Sequence, residues 1–261
     1  MNAMLLAVSL LQPAPAFEAR GDWFGFSGGR DEGRYGLLAP ELPVSAAFGK
    51  SLADTPRSME IGGVEYPVFA AIEDQAPQFN GTVFRAVLAR DILKDFLLYI
   101  DLGHRRLSGY RAGAGGPELT EWLSGEWKEI GLEKTDDDAP SLPLRVGESE
   151  IRVPLMLGMR PSELPGVDLD ALGFGPKPNR SSWAHAFVSA TVGEGSLWPV
   201  SLRTYTESRP GLTVGSLPFD RIVWDIGKSK LYVPAQPEPL SMRIRSLLSI
   251  PIGMEGGRPV F

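Results

Sequence analysis

Peptide or ester hydrolysis needs one of two arrangements: a pair of carboxylates that share a proton, or a nucleophile activated by a neighbouring base. Asp54-Thr55-Pro56 is an Asp-Thr pair followed by a ring residue. Proline after the pair fixes φ and lacks the freedom by which glycine lets backbone approach backbone. A loop aspartate closing a turn is the simpler expectation for Asp54. Gly25-Phe26-Ser27-Gly28-Gly29 has the Gly-x-Ser-x-Gly spacing of a serine-hydrolase nucleophile elbow. Arg30-Asp31-Glu32-Gly33 follows where that elbow needs a helix, and a strand-to-strand turn suits the composition better. His104 and His185 are the only imidazoles and there is no cysteine, so no metal-ligand spacing and no thiol nucleophile exist. Asp136-Asp137-Asp138 lacks the alternating ligands of a calcium loop and reads as solvated linker. These residues predict no catalytic centre, with Asp54 and Ser27 as the candidates for any activity, and no metal or cofactor.

The elements that would position such groups repeat along the chain. Gly36-Leu37-Leu38-Ala39-Pro40-Glu41-Leu42-Pro43 matches Gly158-Met159-Arg160-Pro161-Ser162-Glu163-Leu164-Pro165 at an offset of 122, 158 minus 36. Ile61 to Val68 and Val192 to Val200 each place a glycine turn before an aromatic-Pro-Val end. Asp101-Leu102-Gly103-His104-Arg105-Arg106-Leu107 matches Asp225-Ile226-Gly227-Lys228-Ser229-Lys230-Leu231 at 124, 225 minus 101. Three matches in the same order predict duplication of one unit. Phe96 to Ile100 and Arg221 to Trp224 are strand-forming runs entering Asp-x-Gly turns, and each predicts a hairpin. Leu144 to Leu155 predicts another, and Asp91 to Phe96 a short helical turn. Glu118 to Ile130 carries Leu119, Trp122, Leu123 and Trp127 at spacings that suit a short helix. Met242 to Ile252 alternates apolar and basic residues, as an edge strand would.

This order of elements, with the run from Val87 to Leu107 (VLARDILKDFLLYIDLGHRRL), resembles one lobe of the retropepsin/pepsin-like aspartic protease superfamily. The resemblance implies an all-β chain of two β-barrel lobes. The lobes would span 17–110 and 141–233, with a linker and short helix over 111–140 and an extension over 234–261. It also implies a catalytic turn just before each Glu-Leu-Pro. Those positions hold Gly36 to Ala39 and Leu157 to Arg160, without a carboxylate. Leu37, Leu38, Met159 and Arg160 would then floor a cleft that lacks the acid pair. Tyr66 and Trp198 would sit on hairpins folded over it, either clamping an extended peptide or packing into the core. The implied function is a non-catalytic, protease-like protein that binds a peptide or partner segment. The alternatives are an aspartic-type peptidase using other acids, or a serine hydrolase acting through Ser27.

Composition bounds the rest. The chain has 261 residues, 43% hydrophobic and 22% charged, as for a globular protein with a sizeable core. A net charge of −6 without a basic stripe argues against nucleic acid as partner. The apolar run Ala3 to Leu11, followed by Gln12-Pro13-Ala14-Pro15-Ala16, predicts a cleaved signal peptide over 1–16 and a periplasmic or secreted protein. No other run predicts a membrane-spanning helix.

Overall fold

Strand-forming residues set nearly every element. The computed structural model describes residues 17–20, 23–27, 35–79, 82–111, 126–146, 148–158, 163–165, 185–192, 195–203, 211–217, 219–236, 253–255 and 258–260. Along the chain run β1 (Phe17–Arg20), β2 (Trp23–Ser27), β3 (Tyr35–Ala39), β4 (Ala46–Gly49), β5 (Ser58–Ile61), β6 (Val64–Pro67) and β7 (Phe69–Ile72). A 3-10 turn (Glu73–Gln75) leads to β8 (Gln78–Phe79), β9 (Thr82–Val83), β10 (Ala86–Ala89), helix α1 (Arg90–Leu93), β11 (Phe96–Asp101) and β12 (Arg106–Arg111). Then come β13 (Trp127–Gly131), β14 (Glu133–Lys134), β15 (Pro140–Val146), β16 (Ser149–Met156), β17 (Glu163–Pro165), β18 (His185–Val192), β19 (Gly195–Arg203) and β20 (Leu212–Thr213). A second 3-10 turn (Val214–Ser216) precedes β21 (Arg221–Asp225) and β22 (Lys230–Pro234), and β23 (Gly253–Glu255) and β24 (Arg258–Val260) close the chain. The protein is all-β.

Three sheets carry the structure. One has the order β1-β2-β3-β10-β4-β7, and another β17-β19-β18-β15-β16-β20 with β14 beside β15. The third, β12-β11-β21-β22-β13, takes strands from both halves of the chain. Its pattern explains its position. Phe96, Leu98 and Ile100 alternate inward on β11, whereas Ile222, Val223 and Trp224 on β21 are all buried, as on a strand covered on both faces.

The hairpins β11–β12 and β21–β22 share one turn. Asp101 Oδ1 accepts the His104 N–H at 2.9 Å, and Asp225 Oδ1 accepts the Lys228 N–H at 2.9 Å. The other carboxylate oxygen meets His104 Nδ1 at 2.9 Å and Lys228 Nζ at 3.1 Å, respectively. Arg105 (φ 53°) and Ser229 (φ 54°) both adopt the left-handed conformation that the turn requires. In the ladder between β11 and β21, Tyr99 lies opposite Val223. Each stands two residues before its own turn aspartate. A two-fold axis through that pair would exchange the two hairpins.

The approach to each hairpin also recurs. β10 runs parallel to β3 and leads into α1; β20 runs parallel to β16 and leads into the second 3-10 turn. Register pairs Leu38 with Leu88 and Leu155 with Leu212. Leu38 and Leu155 thus hold like places in their ladders, 117 residues apart, whereas the sequence match sets Gly36 against Gly158, 122 apart. The short helix expected within 118–130 is a strand in its described part. Backbone pairing of Trp127–Gly131 with β22 overrides the helical spacing, and the Arg221 guanidinium lies 5.7 Å from the Trp127 ring centre. The expected linker thus contributes β13 and β14. The signal segment 1–16 and the expected edge strand 242–252 lie outside the described residues.

Ile100 and Ile222 face each other in the ladder and are fully buried. Ile222→Ala is expected to cost about 2–5 kcal/mol. The loss should appear as a lower urea midpoint with one transition retained; two resolved transitions would show halves that unfold independently.

Candidate functional site

The segment between β3 and β4 is the most tightly specified connection in the first half. Leu42 N–H donates to Ala39 O at 3.0 Å, so Pro40 and Glu41 occupy the corners of the turn. Proline fixes the first corner's φ in advance. Arg90 N–H donates to Leu42 O at 3.0 Å and Phe69 N–H to Ser45 O at 2.9 Å. Ser45 is buried, and Asp91 on α1 takes up its polar groups. Asp91 Oδ1 accepts the Ser45 hydroxyl at 2.5 Å and its N–H at 3.0 Å, while Oδ2 accepts the same N–H at 3.1 Å. Ser45 Oγ in turn accepts the Ala89 N–H at 2.8 Å. Charge-assisted bonds of this kind are stronger than neutral ones, and they fix where the segment enters β4.

Gly36 to Ala39 lie within β3 rather than in the turn. Ala39 ends this strand, and Met156, its counterpart by register, ends β16. Neither side chain can titrate. The turn itself does hold a carboxylate, Glu41, which the sequence reading left out. Its Oε2 is buried without a hydrogen-bond partner. Burial pushes the carboxyl up to about 7, and its own backbone N–H partly offsets that. No second described carboxylate contributes to the shift. Glu41-Leu42-Pro43 has a sequence counterpart in Glu163-Leu164-Pro165, which forms β17 beside β19. That Pro/Ser-Glu-Leu-Pro recurrence was the one signal that could have pointed to Glu41.

The structure separates the other candidates. Leu38 is 1% exposed and Tyr66 8%, both within the hydrophobic core. Tyr66 packs 6.4 Å from the Phe96 ring, and its hydroxyl points toward Asp95 without a well-formed hydrogen bond. Burial first, then the Asp95 charge, raises it above the ordinary tyrosine value. Leu37 is half-buried. Asp54 is exposed and accepts the Ser51 hydroxyl at 2.6 Å, closing a turn at which the Thr55 hydroxyl also caps Ser51 O at 2.7 Å. Ser27 is paired with Tyr35 between the antiparallel strands β2 and β3, and the residues between them lie outside those described. His104 serves its turn and is exposed. Trp198 and His185 lie on β19 and β18; nothing is described of their side chains. Met159 and Arg160 fall outside the described residues. Among the described residues no group of three or more His, Asp or Glu could hold a metal ion, and no helix is long and apolar enough to cross a membrane.

Exposed apolar side chains gather around the same segment. Leu42 is 44% exposed, Val44 56% and Phe69 64%. Phe69 begins β7, the terminal strand of its sheet.

No family model matches the chain, and no curated protein matches it. Among solved structures it is similar to a retropepsin-like aspartic protease from Rickettsia conorii, with 20% identity and a TM-score of 0.31, over 42% of this chain and 94% of that one.

A carboxyl that is neutral when folded favours the native state below the unfolded value of 4.5 and loses that advantage as pH rises through about 7. The burden on the folded state at pH 8 is on the order of 3 kcal/mol. Glu41→Gln removes it. The variant should melt roughly 5–10 °C above the parent at pH 8 and within about 1 °C of it at pH 4, measured by calorimetry at both pH values.

Proposed function

We propose that the two halves are pepsin-like lobes copied from one unit, that their cleft no longer carries an acid pair, and that the protein holds an extended polypeptide segment without cleaving it. The observation that carries this reading is a pair of strand ends alike in register: Ala39 on β3 and Met156 on β16, which this reading takes as the former acid positions, bear side chains that cannot titrate. That chemistry requires two acids close enough for one to keep the other's proton. Glu41 owes its raised value to burial, not to a neighbouring described acid. The shared turn at Asp101 and Asp225 and the Tyr99–Val223 pairing support the common origin.

Binding rests on Leu42, Val44 and Phe69. They present apolar surface beside an open edge, since β7 has no outer neighbour among the described strands. An extended segment would add to that edge by main-chain hydrogen bonds and seat alternate side chains on the apolar residues. The reading includes export after removal of 1–16, to the periplasm or the outside, and lobes over 17–110 and 141–233.

A second reading, an acid peptidase, is favoured only by Glu41, a buried carboxyl able to carry a proton near neutral pH. One experiment separates the two. Fluorescein-labelled casein, an unfolded polypeptide, is incubated with the protein from pH 3 to pH 8. Retention without new amine termini is expected, and Val44→Asp or Phe69→Asp should weaken retention about tenfold at unchanged melting temperature. Turnover that disappears in Glu41→Gln would replace the binding reading with the peptidase one.

A further inference from the structure

A cavity of about 530 Å³ opens in the first half, lined by residues of β2, β3, β10 and β4. Its origin is visible in the register. Phe26 lies opposite Gly36, Gly36 opposite Ala86, and Ala86 opposite Ala47, so four neighbouring strands contribute one row to one sheet face. Phe26 closes one end of that row, with its ring lying directly over Gly36; a Cβ there would come within 1.8 Å of it. Gly36, Ala86 and Ala47 leave the middle unfilled. Met59 on β5 forms a further wall. The cavity is within the range that encloses a small molecule and is too large to be an ordinary packing gap.

The charges around the rim differ in their engagement. Arg85 gives its guanidinium to Glu73 at 2.6 Å, and Asp54 accepts the Ser51 hydroxyl. Lys50 lines the cavity, is exposed, and makes no ion pair among the described residues. Its charge also reaches Glu73, where it adds to the pull of Arg85.

We infer that this cavity is a binding site for a small amphipathic carboxylate, with the apolar body over the Gly36–Ala86–Ala47 row and the carboxylate on the Lys50 ammonium. A long apolar chain gains by leaving water for the Phe26 end of the row. The headgroup keeps its partner at the solvent-exposed rim, where it need not be fully desolvated.

The test uses the full chain and three probes of equal chain length below their micelle concentrations: dodecanoate, dodecan-1-ol and dodecyltrimethylammonium. Calorimetric titration should show dodecanoate binding at least tenfold tighter than the other two. Lys50→Gln should abolish that preference without altering the melting temperature, because Lys50 is on the surface. Ala47→Phe should fill the cavity and prevent binding. Should that variant fail to fold, Met59→Trp blocks the same space from β5. Absence of dodecanoate binding, equal affinity for the three probes, an unchanged preference in Lys50→Gln, or full binding by a folded cavity-filling variant would each overturn the assignment.

Discussion

The antiparallel ladder between β11 and β21 is the constraint from which the rest of the architecture follows. Two strands more than a hundred residues apart in sequence must find one register, because a one-residue slip would turn Leu98 and Ile100, on the strand that buries alternate residues, away from the core. Once they pair, β12 and β22 take the flanking positions.

Asp91 does the comparable job locally. Its carboxylate gathers a hydroxyl and a backbone N–H from Ser45 and so ties the entry of β4 to α1. A buried serine is costly unless both its hydroxyl proton and its oxygen are used, and here they are: one goes to Asp91 and the other accepts Ala89 N–H. The rigid segment that results presents Leu42 and Val44 to solvent. Apolar exposure at a well-anchored place differs in kind from the exposure of a loose loop, because little ordering entropy is lost when something covers it.

What the sequence made legible was local. The Asp-x-Gly turns at Asp101 and Asp225 specify themselves through side-chain bonds to backbone three residues away, and the hairpin from Pro140 to Met156 follows from alternation alone. The Gly62-Gly63 pair announced the β5–β6 hairpin because glycine accepts the positive φ of its turn. Trp127 to Gly131 were misread because their strand exists only through β22, about a hundred residues onward. The match of Gly36 with Gly158 and the ladder register give different offsets, because glycine, proline and leucine recur at many turns. Tyr66 was open between lid and core, and the sequence could not show that Phe96 stands behind it. Glu41 had no visible distinction at all: a glutamate between proline and leucine looks like surface until the tertiary packing closes over one oxygen.

The β5–β6 hairpin pairs with no other strand among those described. Gly62 and Gly63, at φ 59° and 76°, let its two strands meet in a tight reversal that side-chain-bearing residues rarely adopt. Its hold on the molecule comes instead from Ile61 and Tyr66 pressed into the core and from Val68 N–H bonded to Arg57 O at its base. Stiffness and attachment are thus separate properties. The internal shape belongs to the two glycines, whereas the seating belongs to two apolar anchors, so evolution could loosen or tighten the seating by changing the anchors without redrawing the hairpin.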